Sequence, residues 1–136
     1  MKKLLAIALL LLLSSSASAQ EFNKFSMDIA KGWTFIDEGS VVIMAPDKEA
    51  AVSIACNTLE GVTAEAAAAA FSKKLNGSTP RKEKDGMYSF TFTSNGVESK
   101  SFCSLKDNRF TLITVTDPTG RHGKTIQEML ATLKEK

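Results

Sequence analysis

The stretch MYSFTFTSNGVESKSFCSLKDNRFTLITVT, residues 87–116, decides the fold. From Met87 to Thr93 apolar and polar residues alternate strictly, the period of a half-buried strand. Asn95-Gly96 follows, the strongest short hairpin signal. A two-residue turn there sets Cys103 opposite Tyr88 and Ser101 opposite Phe90. Asp107-Asn108 makes the next turn, and Phe110 to Thr116, rich in Thr, Ile and Val, returns as a third strand. The same counting sets Cys103 opposite Leu112. Tyr88, Phe90, Phe92, Cys103, Leu105, Phe110 and Leu112 then share one face of a meander, and Phe102, Ile113 and Val115 share the other. Both faces carry apolar residues, so both need covering.

Upstream, Phe25 to Ile29 alternates and reads as an opening strand, while Gln20 to Lys24 reads as a loose leader. Trp33 to Ile36 is extended, Asp37-Glu38-Gly39-Ser40 turns, and Val41 to Ala45 is a short apolar strand ended by Pro46-Asp47. In the strand Ala51 to Thr58, Val52, Ile54 and Cys56 share one face. A helix follows. Thr63 suits its N-cap, Glu65 its first turn, and Lys73 and Lys74 its last, with Gly77 for a left-handed cap. Ala67, Phe71 and Leu75 form its apolar stripe. Ser78 to Gly86 is polar, and Arg81 to Asp85 reads as a solvated loop or a docking edge. The chain ends in a second helix, with Thr125 and Glu128 as a capping box and Ile126, Met129, Leu130 and Leu133 as the buried stripe. The whole reads as α+β: an antiparallel sheet of about six strands with two main helices packed on it.

The N-terminus has a different character. Met1-Lys2-Lys3 is positive, Leu4 to Leu13 is unbroken apolar sequence, and Ala17-Ser18-Ala19 has the small-x-small form of a signal-peptidase site. A helix of that apolar length rises ~15 Å, against a hydrocarbon core of ~30 Å. Residues 1–19 therefore read as a cleaved signal peptide, and residues 20–136 as a single α+β domain, periplasmic or secreted, with no membrane span. No cysteine follows the cleavage region, so no lipoprotein-type anchor is expected. Lys2 and Lys3 account for the net charge of +2. The remainder is balanced, which argues against nucleic acid as a partner.

Cys56 and Cys103 are the only cysteines. In an oxidising compartment they are expected to pair, a link worth up to ~4 kcal/mol in the chain-entropy model. The alternative is two buried free thiols. Two cysteines and one distant histidine have no metal-ligand spacing.

Met27-Asp28-Ile29-Ala30-Lys31-Gly32-Trp33 resembles the "apolar-x-apolar-Pro-x-Gly-Trp" start of PsbP-like domains, which include the photosystem extrinsic protein PsbP and bacterial DcrB-like envelope proteins. Ala30 stands where proline is common. Ala45-Pro46-Asp47, the strand to Asn57, Leu59-Glu60-Gly61-Val62-Thr63 before a helix, the late meander and the terminal helix fit the same plan. The resemblance implies an α/β/α sandwich around a central antiparallel sheet. Relatives serve mostly as binding or assembly modules, so it implies no shared activity and transfers no site residue.

The segment from Asp117 to Thr125 ends in Gly-Lys-Thr, but Pro118 stands where a phosphate-binding loop needs glycine, and proline has no N–H to offer. Arg121 and Lys124 remain candidates for contact with an anion or an acidic partner. His122, the sole histidine, would have to serve any Ser-His-Asp hydrolase, yet no Gly-x-Ser-x-Gly elbow is present. Trp33, Tyr88 and Phe92 are candidates for an apolar pocket between sheet and helix. The expectation is a non-enzymatic binding or assembly module, without cofactor, contacting another envelope or extracellular protein. A carrier of a small apolar ligand is the alternative, and a hydrolase using His122 the third. The sequence does not fix the oligomeric state.

Overall fold

Both hairpin registers counted from the turns are those of the computed structural model, which describes residues 18–136. Tyr88 pairs with Cys103 and Phe90 with Ser101; Cys103 pairs in turn with Leu112. The turns carry this accuracy. Asn95 and Gly96 both have positive φ, 52° and 79°, and so do Asp107 and Asn108, 53° and 64°. Two such residues in succession make the turn whose twist matches the flanking strands.

The described elements are β1 (Ser18–Glu21), β2 (Phe25–Ile29), β3 (Thr34–Glu38), β4 (Ser40–Met44), β5 (Ala51–Thr58), α1 (Ala64–Lys74), β6 (Arg81–Lys82), a short 3-10 turn (Lys84–Gly86), β7 (Tyr88–Ser94), β8 (Val97–Lys106), β9 (Arg109–Thr116), α2 (Gly123–Leu130) and β10 (Lys134–Glu135). They form an antiparallel seven-stranded sheet, ordered β3-β4-β5-β9-β8-β7-β6, and a separate three-stranded sheet, β1-β2-β10. The opening strand β2 therefore leaves the main sheet, where a single sheet was expected.

The small sheet and α2 cover one face. Phe25, Met27 and Ile29 of β2, with Ile126 and Met129 of α2, pack against Val41, Ile43, Val52, Ile54 and Ile113. Helix α1 covers the other. Ala67 and Ala68 sit on Phe90, Cys103 and Phe110, and Phe71 stacks on Phe110 with ring centroids 5.3 Å apart. Alanines let the helix approach the sheet closely. Each fully buried Phe or Ile stabilises the fold by roughly 1.5–3 kcal/mol.

The start of α1 is as expected: Thr63 Oγ1 accepts the N–H of Ala66 at 3.0 Å. Its end is not. Asn76, with φ 57°, takes the left-handed position, and Gly77 is needed for a different reason. A Cβ there would lie 2.7 Å from the Thr91 carbonyl oxygen, so the residue permits the turn to press on β7. Helix α2 starts at Gly123, ahead of the expected capping box, and His122 at its cap makes no side-chain cap bond. Asp117 Oδ2 accepts the His122 N–H at 3.2 Å instead. A carboxylate five residues upstream of the cap stands in for the Thr125–Glu128 box.

The expected loose leader is partly strand. Gln20 and Glu21 pair with Met27 and Ser26, and Phe22 is buried. The signal-peptide reading itself falls mainly on residues 1–17, outside the described residues; Ser18 and Ala19 begin β1.

The expected disulfide is not formed: both cysteines are free. Cys56 pairs with Thr111 and shares a face with Ile54, under the small sheet. Cys103 pairs with Leu112, on the α1 face. With β9 between them, strand spacing alone sets their Cα atoms ~10 Å apart, beyond the ~7 Å limit, and their side chains point to opposite sides.

Candidate functional site: a trough beside the second helix

The two covers are displaced to opposite ends of the sheet. On the face shared with α2, the small sheet lies over β4 and β5, and the β8 side is left open. There Phe102, Ser104 and Thr111, with Ile113, form the floor of a trough of about 580 Å³. One wall is Leu130, Leu133 and Glu135; the other is the segment from Glu83 to Met87. A second hollow of about 450 Å³ shares Met87, Ser104, Leu133 and Glu135 and continues toward Arg109.

Local chemistry builds both walls. Helix α2 stops at Leu130, and Thr132 and Leu133 close its last turn through N–H bonds to Met129 and Leu130 carbonyls at 3.0 and 3.1 Å. Thr132 Oγ1 also accepts the Asp28 N–H at 2.9 Å. That pins the chain so that Lys134 and Glu135 pair with Ser26 and Phe25 of β2. Glu135 is thereby held over the floor, where its Oε2 accepts the Thr111 hydroxyl at 2.6 Å. Opposite, Asp85 and Gly86 turn with φ 63° and 74°, and the Glu83 N–H bonds the Met87 carbonyl at 2.7 Å. The Glu83 carboxylate accepts the Ser89 hydroxyl. That bond, helped by Lys100 and Arg81 and opposed by burial, holds Glu83 below the ordinary carboxylate pKa. Lys100 Nζ lies 5.1 Å from the Phe102 ring centroid. The trough thus combines an apolar floor with a carboxylate pinned by a sheet hydroxyl on each wall, and its volume is in the range of ligand sites.

The residues singled out from sequence lie elsewhere. Trp33 is core, with its ring edge-on to His122 at 5.5 Å. Tyr88 and Phe92 pack on the opposite face with α1. The three cannot line one pocket, and none of them lines the trough. Arg121 pairs with Asp47 at 3.7 Å and with Glu49, so its guanidinium is already matched by carboxylates. Lys124 is exposed in the first turn of α2. His122 Nε2 lies 2.9 Å from Asp47 Oδ2. The Glu49 backbone N–H, then His122, lowers the Asp47 pKa. Together Asp47, Glu49, Arg121 and His122 tie the β4–β5 turn to the start of α2. Beneath them Asp117 Oδ1 is buried without a hydrogen-bond partner. Among the described residues no group of three or more His, Cys, Asp or Glu side chains could hold a metal.

Sequence reasoning missed the trough, although it separated Phe102 and Ile113 onto their own face and put Leu130 and Leu133 on the helix stripe. What it lacked was the position of the cover. The docking edge expected at Arg81 to Asp85 divides: Arg81 and Lys82 form the edge strand β6, and Lys84 and Asp85 belong to the trough wall.

This arrangement is a PsbP-like α+β sandwich. Cyanobacterial PsbP (CyanoP) from Synechocystis sp. matches over 90% of this chain and 94% of its own, at 12% identity and a TM-score of 0.59. A crystal structure from Bacteroides thetaiotaomicron matches 82% of this chain at 21% identity and a TM-score of 0.54; the match spans 45% of that protein. No family model and no curated protein matches the sequence. At these identities the likeness is one of fold. No helix among the described residues is long and apolar enough to cross a membrane.

Proposed function

We propose that the protein is an exported, non-enzymatic binding module that engages another envelope protein through the trough over Phe102 and Ile113. The observation carrying this reading is the trough itself: an apolar floor left open by an offset cover, walled by Leu130, Leu133 and Met87. Concave apolar surface beside a few fixed polar groups is what recognition sites are made of. The leader at residues 1–19 supports export. Cleavage after Ala19 leaves Gln20 and Glu21 still paired to β2. The hydrolase reading loses support because Asp47 occupies His122 Nε2, the nitrogen that a triad gives to the serine hydroxyl.

The test is affinity capture from envelope extract with the wild type beside Phe102→Glu and Leu133→Lys. Both side chains are half-buried, so both variants are expected to fold, checked by circular dichroism. Loss of the same captured protein in both supports the reading. Unchanged capture by two folded variants overturns it.

The second reading, a carrier of a small apolar ligand, is favoured by the volume of about 580 Å³, enough for a small molecule. Native mass spectrometry of the purified protein separates the two. A small molecule released by the wild type and absent from Phe102→Glu would support the carrier.

A further inference from the structure

Glu83, Asp85 and Glu135 stand around the apolar floor of the trough, against one lysine, Lys84, in its lining. None of the three carboxylates is in an ion pair: the ion pairs among the described residues are held by Arg121, His122 and Lys136, with other partners. Their neighbours supply hydroxyls in place of cations. Ser89 donates to Oε2 of Glu83 and Thr111 to Oε2 of Glu135. Each bond fixes a side chain and leaves its charge in place. Oε1 of both glutamates and the carboxylate of Asp85 have no donor among the described residues. The bases nearby are engaged elsewhere or stand off. Arg109 donates to the Lys136 carbonyl at 2.8 Å. Lys100 lies over the Phe102 ring, and with Arg81 it acts on Glu83 from beyond ion-pair distance.

We propose that the trough receives a basic amphipathic segment of the partner protein, with apolar side chains on Phe102 and Ile113 and a lysine or arginine at each wall. This rests on the trough being the binding site, and adds the chemistry of what enters it. A wholly apolar segment would shut fixed carboxylates away from water without a counter-charge, which is costly. An acidic one would add repulsion. A basic one gives each carboxylate the N–H donors that its open oxygen lacks, in charge-assisted bonds. The hydroxyl anchors also set a spacing. Ser89 pairs with Phe102 and Phe102 with Ile113, so Ser89 is two strands away from β9, and Thr111 lies two residues along β9 from Ile113. At ordinary strand spacings the anchors are about 12 Å apart, the reach of about eight helical residues or about four extended ones. Cations so spaced on one segment, with apolar side chains between them, satisfy both walls at once.

The test uses the exported chain and two labelled leucine–lysine peptides, one with leucines at helical spacing and one alternating. Each is set beside a twin with glutamine for lysine, and binding is read by fluorescence anisotropy. A lysine peptide is expected to bind about tenfold tighter than its twin. The preference should vanish in the triple variant Glu83→Gln, Asp85→Asn, Glu135→Gln, its fold checked by circular dichroism. Glutamine keeps an oxygen for Ser89 and Thr111, and asparagine tolerates the φ of 63° at Asp85. Phe102→Ser should weaken both twins. Twins bound alike, and both weakened by Phe102→Ser, overturn the basic segment and leave the trough standing as a binding site. A lysine preference that survives the triple variant, binding that ignores Phe102→Ser, or no binding by any of the peptides overturns the proposal. So does a small molecule in the trough that neither lysine peptide displaces, since the occupant would then be the compact ligand of the carrier reading.

Discussion

Among the described residues the main sheet has two bare regions, and they differ in kind. On the α2 face the open part, around Phe102 and Ile113, is walled on both sides. On the α1 face the open part lies over β4 and β5, where Val42, Met44, Ser53 and Ala55 are half-exposed, and it adjoins the free edge β3. A seven-stranded sheet is wider than one helix or one small sheet can cover. Two covers set at opposite ends bury a continuous core and leave one bare region on each face. A bare region becomes concave only where chain returns beside it, as β10 and the segment before β7 do. Concavity separates the proposed binding trough from the flat bare region beside β3.

If that distinction is right, residues under a cover carry stability and residues on the trough floor carry binding. Phe110 is 1% exposed and stacked beneath α1. Phe110→Ala is expected to cost ~3–5 kcal/mol, the usual loss for a buried aromatic. Phe102→Ala, on the open floor, is expected to cost ~1 kcal/mol or less, as partly exposed sites do. Urea denaturation of both variants measures the contrast. Equal losses would mean that the trough floor is ordinary core.

The thiols probe the same two faces. Cys56 is half-buried beside a hollow of about 230 Å³. Cys103 is fully buried beneath α1, and burial pushes its pKa up to about 11. In the native protein an alkylating reagent should modify Cys56 first and leave Cys103 untouched until unfolding. Burial raises the Cys56 pKa as well, so its modification should be slow and speed up with pH. Denatured without reductant, the chain should show two free thiols; a count of zero would require a link that this topology forbids.

Those cysteines also show how much of the structure was legible. Strand period and the turns Asn95-Gly96 and Asp107-Asn108 sufficed to place Cys103 opposite Tyr88 and Leu112, because a tight hairpin is a local object. Cys56 was correctly grouped with Val52 and Ile54. Whether the two groups face the same way depends on β5 pairing with β9, across an intervening helix and three strands. No local signal carries that register. The same limit hid β1 and β10, whose Ser-Ala-Gln-Glu and Lys-Glu sequences have no strand period and pair only because β2 is there to receive them. It hid the trough too: its apolar residues were visible on their proper faces, but the position of the cover is a tertiary fact. Trp33, Tyr88 and Phe92 were aromatic in pattern and turned out to be packing, as most such residues are.

Acid should loosen one wall of the trough before it touches the α1 side. The Ser89 hydroxyl donates to Glu83, and this bond is the first cause of the lowered Glu83 pKa. A carboxyl whose folded pKa lies below its unfolded value of about 4.5 binds fewer protons folded than unfolded, so it stabilises the fold at higher pH. That contribution is complete above the unfolded value and fades as pH falls through the folded one. Glu83→Gln removes the titrating group while leaving an amide oxygen for Ser89. Its unfolding midpoint should match the wild type less well at pH 7 than at pH 3, the gap closing on acidification. The effect should be small, because Glu83 sits at the solvent edge of the wall. Amide exchange should place the pH-dependent opening in residues 83–89 and not in α1. A wild type and variant that lose stability in parallel across that range would show that the wall is held by the backbone bond from Glu83 to Met87 and owes nothing to its carboxylate.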